Sequence, residues 1–148
     1  MTVIVRPLGE ADRAAWEPLW RGYNAFYERP SIADDITQTT WTRFMAPGVP
    51  MYVLGAFEDH RLLGIAQYLF HFSTTAIGLT CYLQDLFTVP EARGKGVGRS
   101  LIAAVYAAAE EAGSPRVYWH THETNHHAML LYDKVAEKSG FLVYRKLF

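Results

Sequence analysis

The sequence predicts an α/β (α+β) domain in which a mixed sheet carries helices on its faces. Three observations lead there. Segments of strand-like alternation and of helical periodicity follow one another in the order β-α-α-β-β-β-α-β-α-β. Three apolar, strand-like runs follow one another between residues 51 and 89. The 148 residues suit one domain, 1–148, large enough to bury a core without disulfides.

Each element has a local reason. "TVIVRPL" at 2–8 alternates like a short strand. In residues 9–28 the helical spacing of Trp16, Leu19, Trp20, Tyr23 and Phe26 puts them on one face, and Pro18 either kinks that helix or marks its boundary. "SIADDITQTTWTRFM" at 31–45 opens with acidic residues, as a helix does whose first turn faces its own dipole. "MYVLGAFED" and "RLLGIAQYLFHF" flank Asp59-His60 and predict a hairpin. "LTCYLQDLFTV" at 79–89 is the third strand of that series and stops at Pro90. From Gly98 to Ala112 an apolar stripe of Leu101, Ile102, Val105, Ala108, Ala109 and Ala112 predicts a helix that Gly113 ends. "RVYWHTH" at 116–122 predicts another strand. Asn125 has the chemistry of an N-cap, followed by Ala128, Leu131, Tyr132 and Val135 on one face. Gly140 then ends that helix and "FLVYRKLF" is expected as the last strand.

Composition narrows the function. Half the residues are hydrophobic and a fifth charged, which fits a soluble domain. A net charge of -1 offers no electrostatic footprint for nucleic acid. Cys81 is the single cysteine, so it forms no internal disulfide and is expected in the core of a protein of a reducing, cytoplasmic compartment. The N-terminus lacks the apolar core of a signal peptide, and no run approaches the roughly 18 residues that a membrane span needs.

The chemistry concentrates in residues 84–101, "QDLFTVPEARGKGVGRSL". Gly94, Gly96 and Gly98 allow a tight turn that leaves amide N–H groups uncovered, and a helix opens directly behind them. The first N–H groups of a helix lack internal partners and carry partial positive charge, so the turn suits a phosphate. Arg93, Lys95 and Arg99 add positive side chains at its rim. A Walker A loop is excluded, since no G-x-x-x-x-G-K-[ST] spacing occurs. A dinucleotide fingerprint is excluded too, because the run is G-x-G-x-G and Pro-Glu-Ala separates it from the strand. A glycine turn that only caps the helix is the plain alternative.

What remains is the pattern [QR]-x-x-G-x-[GA], met by Arg93, Gly96 and Gly98. On it, "LFTVPEARGKGVGRSLI" resembles the acetyl-CoA motif of the GNAT superfamily of N-acetyltransferases. The segment "VYWHTHETNHHAMLLYDKVAEKSGFLVYRK" resembles the strand, helix and closing strand that follow it, with Asn125, Ala128, Leu131 and Tyr132 matching "N..A..LY". The tail also resembles the branch that contains yeast histone and polyamine acetyltransferases. The resemblance implies a GNAT fold: a mixed, mostly antiparallel sheet, helices on both faces, splayed where acetyl-CoA binds. It implies that backbone amides from Arg93 through Gly94, Lys95, Gly96, Val97 and Gly98 to Arg99 hold the pyrophosphate. Pantetheine would pair with the main chain of Leu86, Phe87, Thr88 and Val89 as a substitute strand. Asn125 joins the cofactor residues through the same motif.

By the same resemblance the amine attacks the thioester directly. His120 and His122 at i, i+2 could bind a metal, but no carboxylate–histidine set of known spacing accompanies them, so no metal is expected. Tyr132 is the candidate acid for the departing thiolate, and its other reading is a core tyrosine on an apolar stripe. Asp85, in the strand that carries the thioester, is the candidate base, with His120, His122 and Glu123 at the end of the next strand as further candidates. The acceptor is expected among Tyr23, Tyr27, Glu28 and Glu123, where rings and carboxylates suit a cationic amine. Asp34 and Asp35 follow close by. The acceptor class stands as a polyamine, a histone-like peptide or another small amine, with an antibiotic or an amino acid as the rival. A CoA-binding regulatory module without turnover is the alternative from another class. A homodimer is plausible by the same resemblance.

Overall fold

The computed structural model describes residues 2–148. The elements are β1 (Ile4–Pro7), α1 (Arg13–Phe26), α2 (Asp34–Met45), β2 (Met51–Glu58), β3 (Arg61–His71), β4 (Thr80–Thr88), α3 (Val97–Glu111), β5 (Val117–Tyr118) and α4 (His126–Val135). Single 3-10 turns at Glu10–Asp12 and Pro90–Ala92 lead into α1 and towards α3. The strands form one sheet in the order β1-β2-β3-β4-β5. The first four are antiparallel to their neighbours, and β5 runs parallel to β4. This is the GNAT fold: a curled, mixed sheet with four helices on its two faces.

Each face carries its own core. On one side Trp16, Leu19, Trp20 and Tyr23 of α1 and Trp41 of α2 pack on Val53, Phe57, Leu62 and Ile65. On the other, Val97, Leu101, Ile102, Val105 and Ala109 of α3 pack on Leu54, Ala56, Ala66, Tyr68, Cys81 and Leu83. Within β2 the residues of the two lists alternate, as a sheet buried on both faces requires, while in β3 Leu62 and Ile65 share a face across the register shift that leaves Leu63 without an opposite residue. Gly64 lets α3 approach, since a Cβ there would stand 2.9 Å from Val97 Cγ1 and 3.0 Å from the Phe87 carbonyl oxygen. Pro18 lies within α1 without ending it; as the sixth helical residue it leaves the Ala14 carbonyl without its i−4 donor.

The register places a bulge at the point that matters most. Gln67 faces Asp85 and Tyr68 faces Leu83, so Gln84 has no opposite residue. One extra residue reverses the alternation of everything beyond it. Cys81 and Leu83 point to the α3 side, whereas Phe87 packs on the α1 side.

Four expectations need correction. The strand foreseen at 116–122 is only Val117–Tyr118, because its pairing with β4 ends at Tyr82↔Tyr118 as the two strands splay. The helix foreseen up to Gly140 stops at Val135, with Ala136 already extended. The strand foreseen at 141–148 pairs with nothing; those residues are exposed and lie outside the sheet. A strand takes its stability from a neighbour, and here it has none. The segment from 31 becomes helical only at Asp34. Among the described residues no helix is long and apolar enough to cross a membrane.

Candidate active site

The splay between β4 and β5 shapes the site. Pairing covers only Cys81↔Val117 and Tyr82↔Tyr118, so beyond Tyr82 the edge of β4 that faces β5 is unpaired. That edge runs through Leu86, Phe87, Thr88 and Val89 to the glycine turn. Gly94 and Gly96 adopt positive φ of 76° and 83°, and a Cβ on either would meet nothing within 4 Å. The turn is therefore open above its backbone. The first α3 amide to bond backward is that of Ser100, to the Gly96 carbonyl at 3.0 Å. The amides of Val97, Gly98 and Arg99 ahead of it have no helical partner to use. An open loop, free amides and a free strand edge fit a pyrophosphate followed by an amide-bearing chain.

Lys95 and Arg99 are exposed at this turn, as foreseen. Arg93 is not simply at the rim. Its Nε donates to the Thr88 carbonyl at 3.1 Å, and its guanidinium lies over the Phe26 and Phe87 rings. It ties the end of β4 to α1. Asn125 occupies the position before α4, but its side chain donates to Thr121 Oγ1 at 3.3 Å and leaves the helix uncapped.

Beside the free edge lies a cleft lined by Tyr23, Tyr27, Leu83, Gln84, Leu86, Trp119, His120 and Tyr132. The bulge turns Asp85 to the α1 side, beneath this lining. Gln67 Nε2 donates to Asp85 Oδ2 at 2.7 Å, and Trp16 Nε1 donates to Gln67 Oε1 at 2.7 Å. The Tyr23 hydroxyl donates to the Gln84 carbonyl at 3.5 Å and stands near the Asp85 carboxylate. Burial raises the Asp85 carboxyl above its ordinary range, while its neighbours Tyr23 and Gln67 and the nearby Arg29 pull the other way. Burial pushes the Tyr132 phenol up to about 12, with a smaller push from Tyr27 across the cleft. Tyr132 therefore stays protonated at neutral pH. Cys81, buried in the α3-side core, is pushed up to about 11, so it is an unreactive thiol, as its place in the core implies.

The structure thus brings Tyr23, Tyr27, Tyr132, His120 and Asp85 together and leaves the other acid, base and acceptor candidates outside. Glu28 is exposed, with a φ of 62°, and is not part of the lining. Glu123 is exposed in the turn before α4 and is likewise outside the lining. Asp34 is taken by Arg21 at 3.1 Å, and Asp35 holds the Ile36 amide at the start of α2. Of the two histidines only His120 lines the cleft, where its Nδ1 lies 3.3 Å from the Tyr82 hydroxyl; His122 is 2.7 Å from Thr124 Oγ1. Among the described residues no three His, Cys, Asp or Glu side chains form a metal-binding group.

Two residues of the site escaped the sequence reading. Gln67 is one; a lone amide inside "LLGIAQYLF" was its signal, because a buried polar side chain must be satisfied. Arg29 is the other. Its Nε donates to the Asn24 side chain at 3.0 Å, and its guanidinium stands 5.9 Å and 5.6 Å from the Tyr23 and Tyr27 ring centres. Among the described residues it has no carboxylate partner. Nothing in "YERPS" announced it.

Known proteins resemble this chain in sequence and in fold. The family model described as "Acetyltransferase (GNAT) family" matches residues 14–136. The chain is 37% identical over 146 residues to the D-amino-acid N-acetyltransferase HPA3 of Saccharomyces cerevisiae, covering 97% of this chain and 90% of that protein. It is 30% identical to the uncharacterized N-acetyltransferase YhfO of Bacillus subtilis, covering 95% and 94%. Among solved structures, AAC(6')-Iy in complex with the bisubstrate analog CoA-S-monomethyl-acetylneamine superposes with a TM-score of 0.85 at 17% identity, over 100% of this chain and 99% of that one.

Proposed function

The chain belongs to the acetyltransferase (GNAT) family and is an acetyltransferase, and from that premise we propose that it N-acetylates the primary amine of a small, amino-acid-type acceptor. The observation that carries this is the convergence of the free β4 edge, Asp85 and Tyr132 at one cleft, with Arg29 over the rings of the lining residues Tyr23 and Tyr27. GNAT acetyltransferases use acetyl-CoA, which supplies the acetyl group as a thioester whose sulfur leaves. In this chain the amides from Arg93 to Arg99 would hold its pyrophosphate, with Leu86 to Val89 pairing with pantetheine and Asn125 alongside.

The acceptor arrives as an ammonium ion. Asp85, raised by burial, takes one proton from it, directly or through one water, and frees the nitrogen lone pair for direct attack. Tyr132 holds its proton more tightly than a thiol does, so it stabilises the leaving sulfur by donating a hydrogen bond. Tyr23 and Tyr27 line the path of the amine, and Arg29 receives a carboxylate. A D-amino acid has that carboxylate, and the named yeast relative acts on D-amino acids. A polyamine has none and would meet a like charge at Arg29. The enzyme acts in the cytoplasm, as a homodimer.

The test is thiol release from acetyl-CoA with a panel of D- and L-amino acids, polyamines, histone-tail peptides and aminoglycosides. Release with amino acids, and at least tenfold loss of kcat/KM for them in Arg29→Gln, is expected. Release with polyamines alone, undiminished in Arg29→Gln, would overturn the acceptor reading.

A further inference from the structure

Gln67 is an amide in the middle of the apolar strand β3, and only 2% of it is exposed. A buried amide costs free energy unless its polar atoms are engaged. Both ends are engaged here, and the two partners differ in kind. At one end stands Trp16, whose indole Nε1 donates to Gln67 Oε1 at 2.7 Å. At the other stands Asp85, the residue opposite Gln67 in the register, whose Oδ2 accepts from Gln67 Nε2 at 2.7 Å.

The direction of this chain of contacts is set at the Trp16 end. An indole N–H only donates, so the amide atom that meets it must be the oxygen. The amide nitrogen then faces Asp85, and it too only donates. A proton on Oδ2 would point at donor hydrogens, whereas a bare carboxylate oxygen accepts them. The indole is itself held in place. Trp16 has no exposed surface, and its ring stacks on Trp20 at 5.6 Å, lies 4.9 Å from Trp41 and meets Phe44 edge-on at 6.1 Å. Aromatic packing between α1 and α2 thus fixes one N–H, that N–H fixes an amide, and the amide faces the carboxylate. Neither Trp16 nor Gln67 lines the cleft. The neighbouring Trp20 has no part in the chain, since its Nε1 donates to Thr37 Oγ1 at 2.9 Å.

We propose that Trp16 and Gln67 are positioning residues for acetyl transfer: the indole holds the Gln67 amide with its nitrogen towards β4, and the amide presents Asp85 as a carboxylate to the ammonium group of the acceptor. This deepens the preceding reading and rests on Asp85 as the base. In the step that it serves, one proton passes from the ammonium nitrogen to the carboxylate, and the nitrogen keeps the electron pair. Without the indole, the amide is free to turn over about its last torsion, and its oxygen can accept a proton held by Asp85. The carboxyl group then keeps its proton to higher pH. The other groups around Asp85 stay as they are: the Tyr23 and Tyr27 phenols on α1, Arg29 just beyond it, the Tyr82 phenol on β4, and His120 and Tyr132 in the cleft lining. Arg29 carries a permanent charge and favours the carboxylate with or without the indole.

The test compares the full chain with Trp16→Phe, Gln67→Met and, as a control, Trp20→Phe, which removes a buried indole N–H from the same aromatic cluster but leaves the donor to Gln67. One readout is the pH profile of kcat/KM with the amino acid that gives the fastest thiol release. The other is the titration of the Asp85 carboxyl carbon by NMR, assigned with Asp85→Asn. In Trp16→Phe and Gln67→Met the titration and the acid limb of the profile should both move up by about one pH unit, with kcat/KM well above the limb within about threefold of the unsubstituted chain. Trp20→Phe should leave both in place. Far-UV circular dichroism checks folding, and Gln67→Met, which keeps the indole, carries the test should Trp16→Phe fail to fold. A titration that stays in place in the folded variants, or that moves equally in Trp20→Phe, would overturn the proposal. So would a loss of rate by one factor at every pH, which is what a merely structural role produces. A titration that moves without the pH profile following it would leave the hold on Asp85 standing and overturn Asp85 as the base.

Discussion

Asp85 keeps its carboxyl half-buried at the cleft, and its neighbours Gln67 and Tyr23 are neutral, so they favour the ionised form without cancelling its charge. The balance leaves its pKa raised, which has two consequences of opposite kind. For catalysis, the base works only above that raised pKa, so kcat/KM for an amino-acid acceptor should fall as pH drops through a value above the ordinary carboxylate range. In Asp85→Asn the rate should be lower by about 10²-fold or more and that acid limb should vanish. For stability, a raised folded pKa means that the contribution is present below the unfolded pKa and lost as pH rises past the folded one. Asp85→Asn should therefore raise Tm at neutral pH, by about 2–4 °C for each kcal/mol of relieved desolvation. An unchanged pH profile would remove Asp85 as the base. Tyr132 is separable from it. Tyr132→Phe deletes one oxygen, so turnover should fall by about 10²-fold or more while the acetyl-CoA Kd, read by calorimetry, holds. An unchanged kcat would leave Tyr132 with packing alone.

The elements decide which residues can meet. Without the bulge at Gln84, strand alternation would send Asp85 to the α3 side with Cys81 and Leu83, away from Tyr23. That reversal has no local sequence signal, because register is a property of the pair and not of one strand. This is why the face of Asp85 was undecidable while the strand itself was plain. Likewise "RVYWHTH" has the composition of a longer strand, but the splay that ends β5 arises between two strands. The glycine turn was legible because its requirement is local. Gly96 stands at φ 83° before α3, where a side chain has open space but the backbone is strained. Gly96→Ala should cost about 1–2 kcal/mol of stability, read by urea unfolding. It should weaken acetyl-CoA binding by more than the same change at Gly113, also at positive φ but at the far end of α3. Equal effects at both sites would mean that the turn only caps the helix.

At the scale of the molecule the sheet is a shared wall between two cores, and it opens in the gap between β4 and β5. The two cores were readable from helical stripes and strand alternation, since burial on each face has a fixed period. The gap was not, and it is the least self-sufficient part of the fold: the β4 edge past Tyr82 has backbone groups with no neighbouring strand. A ligand that pairs with that edge completes the sheet, so it should stabilise the whole domain and not only the loop it touches. At one hundred times its Kd, acetyl-CoA should add about 2.7 kcal/mol, which corresponds to a Tm rise of roughly 5–11 °C for a chain of this size at fixed protein concentration. Amides of residues 83–89 should slow in hydrogen exchange in the same experiment. Asp85→Asn, on the acceptor side, should keep the rise, and Gly96→Ala should need a higher acetyl-CoA concentration to reach it. A rise without protection at 83–89 would place the binding energy in the glycine turn alone, and β4 would lose its part in holding the substrate.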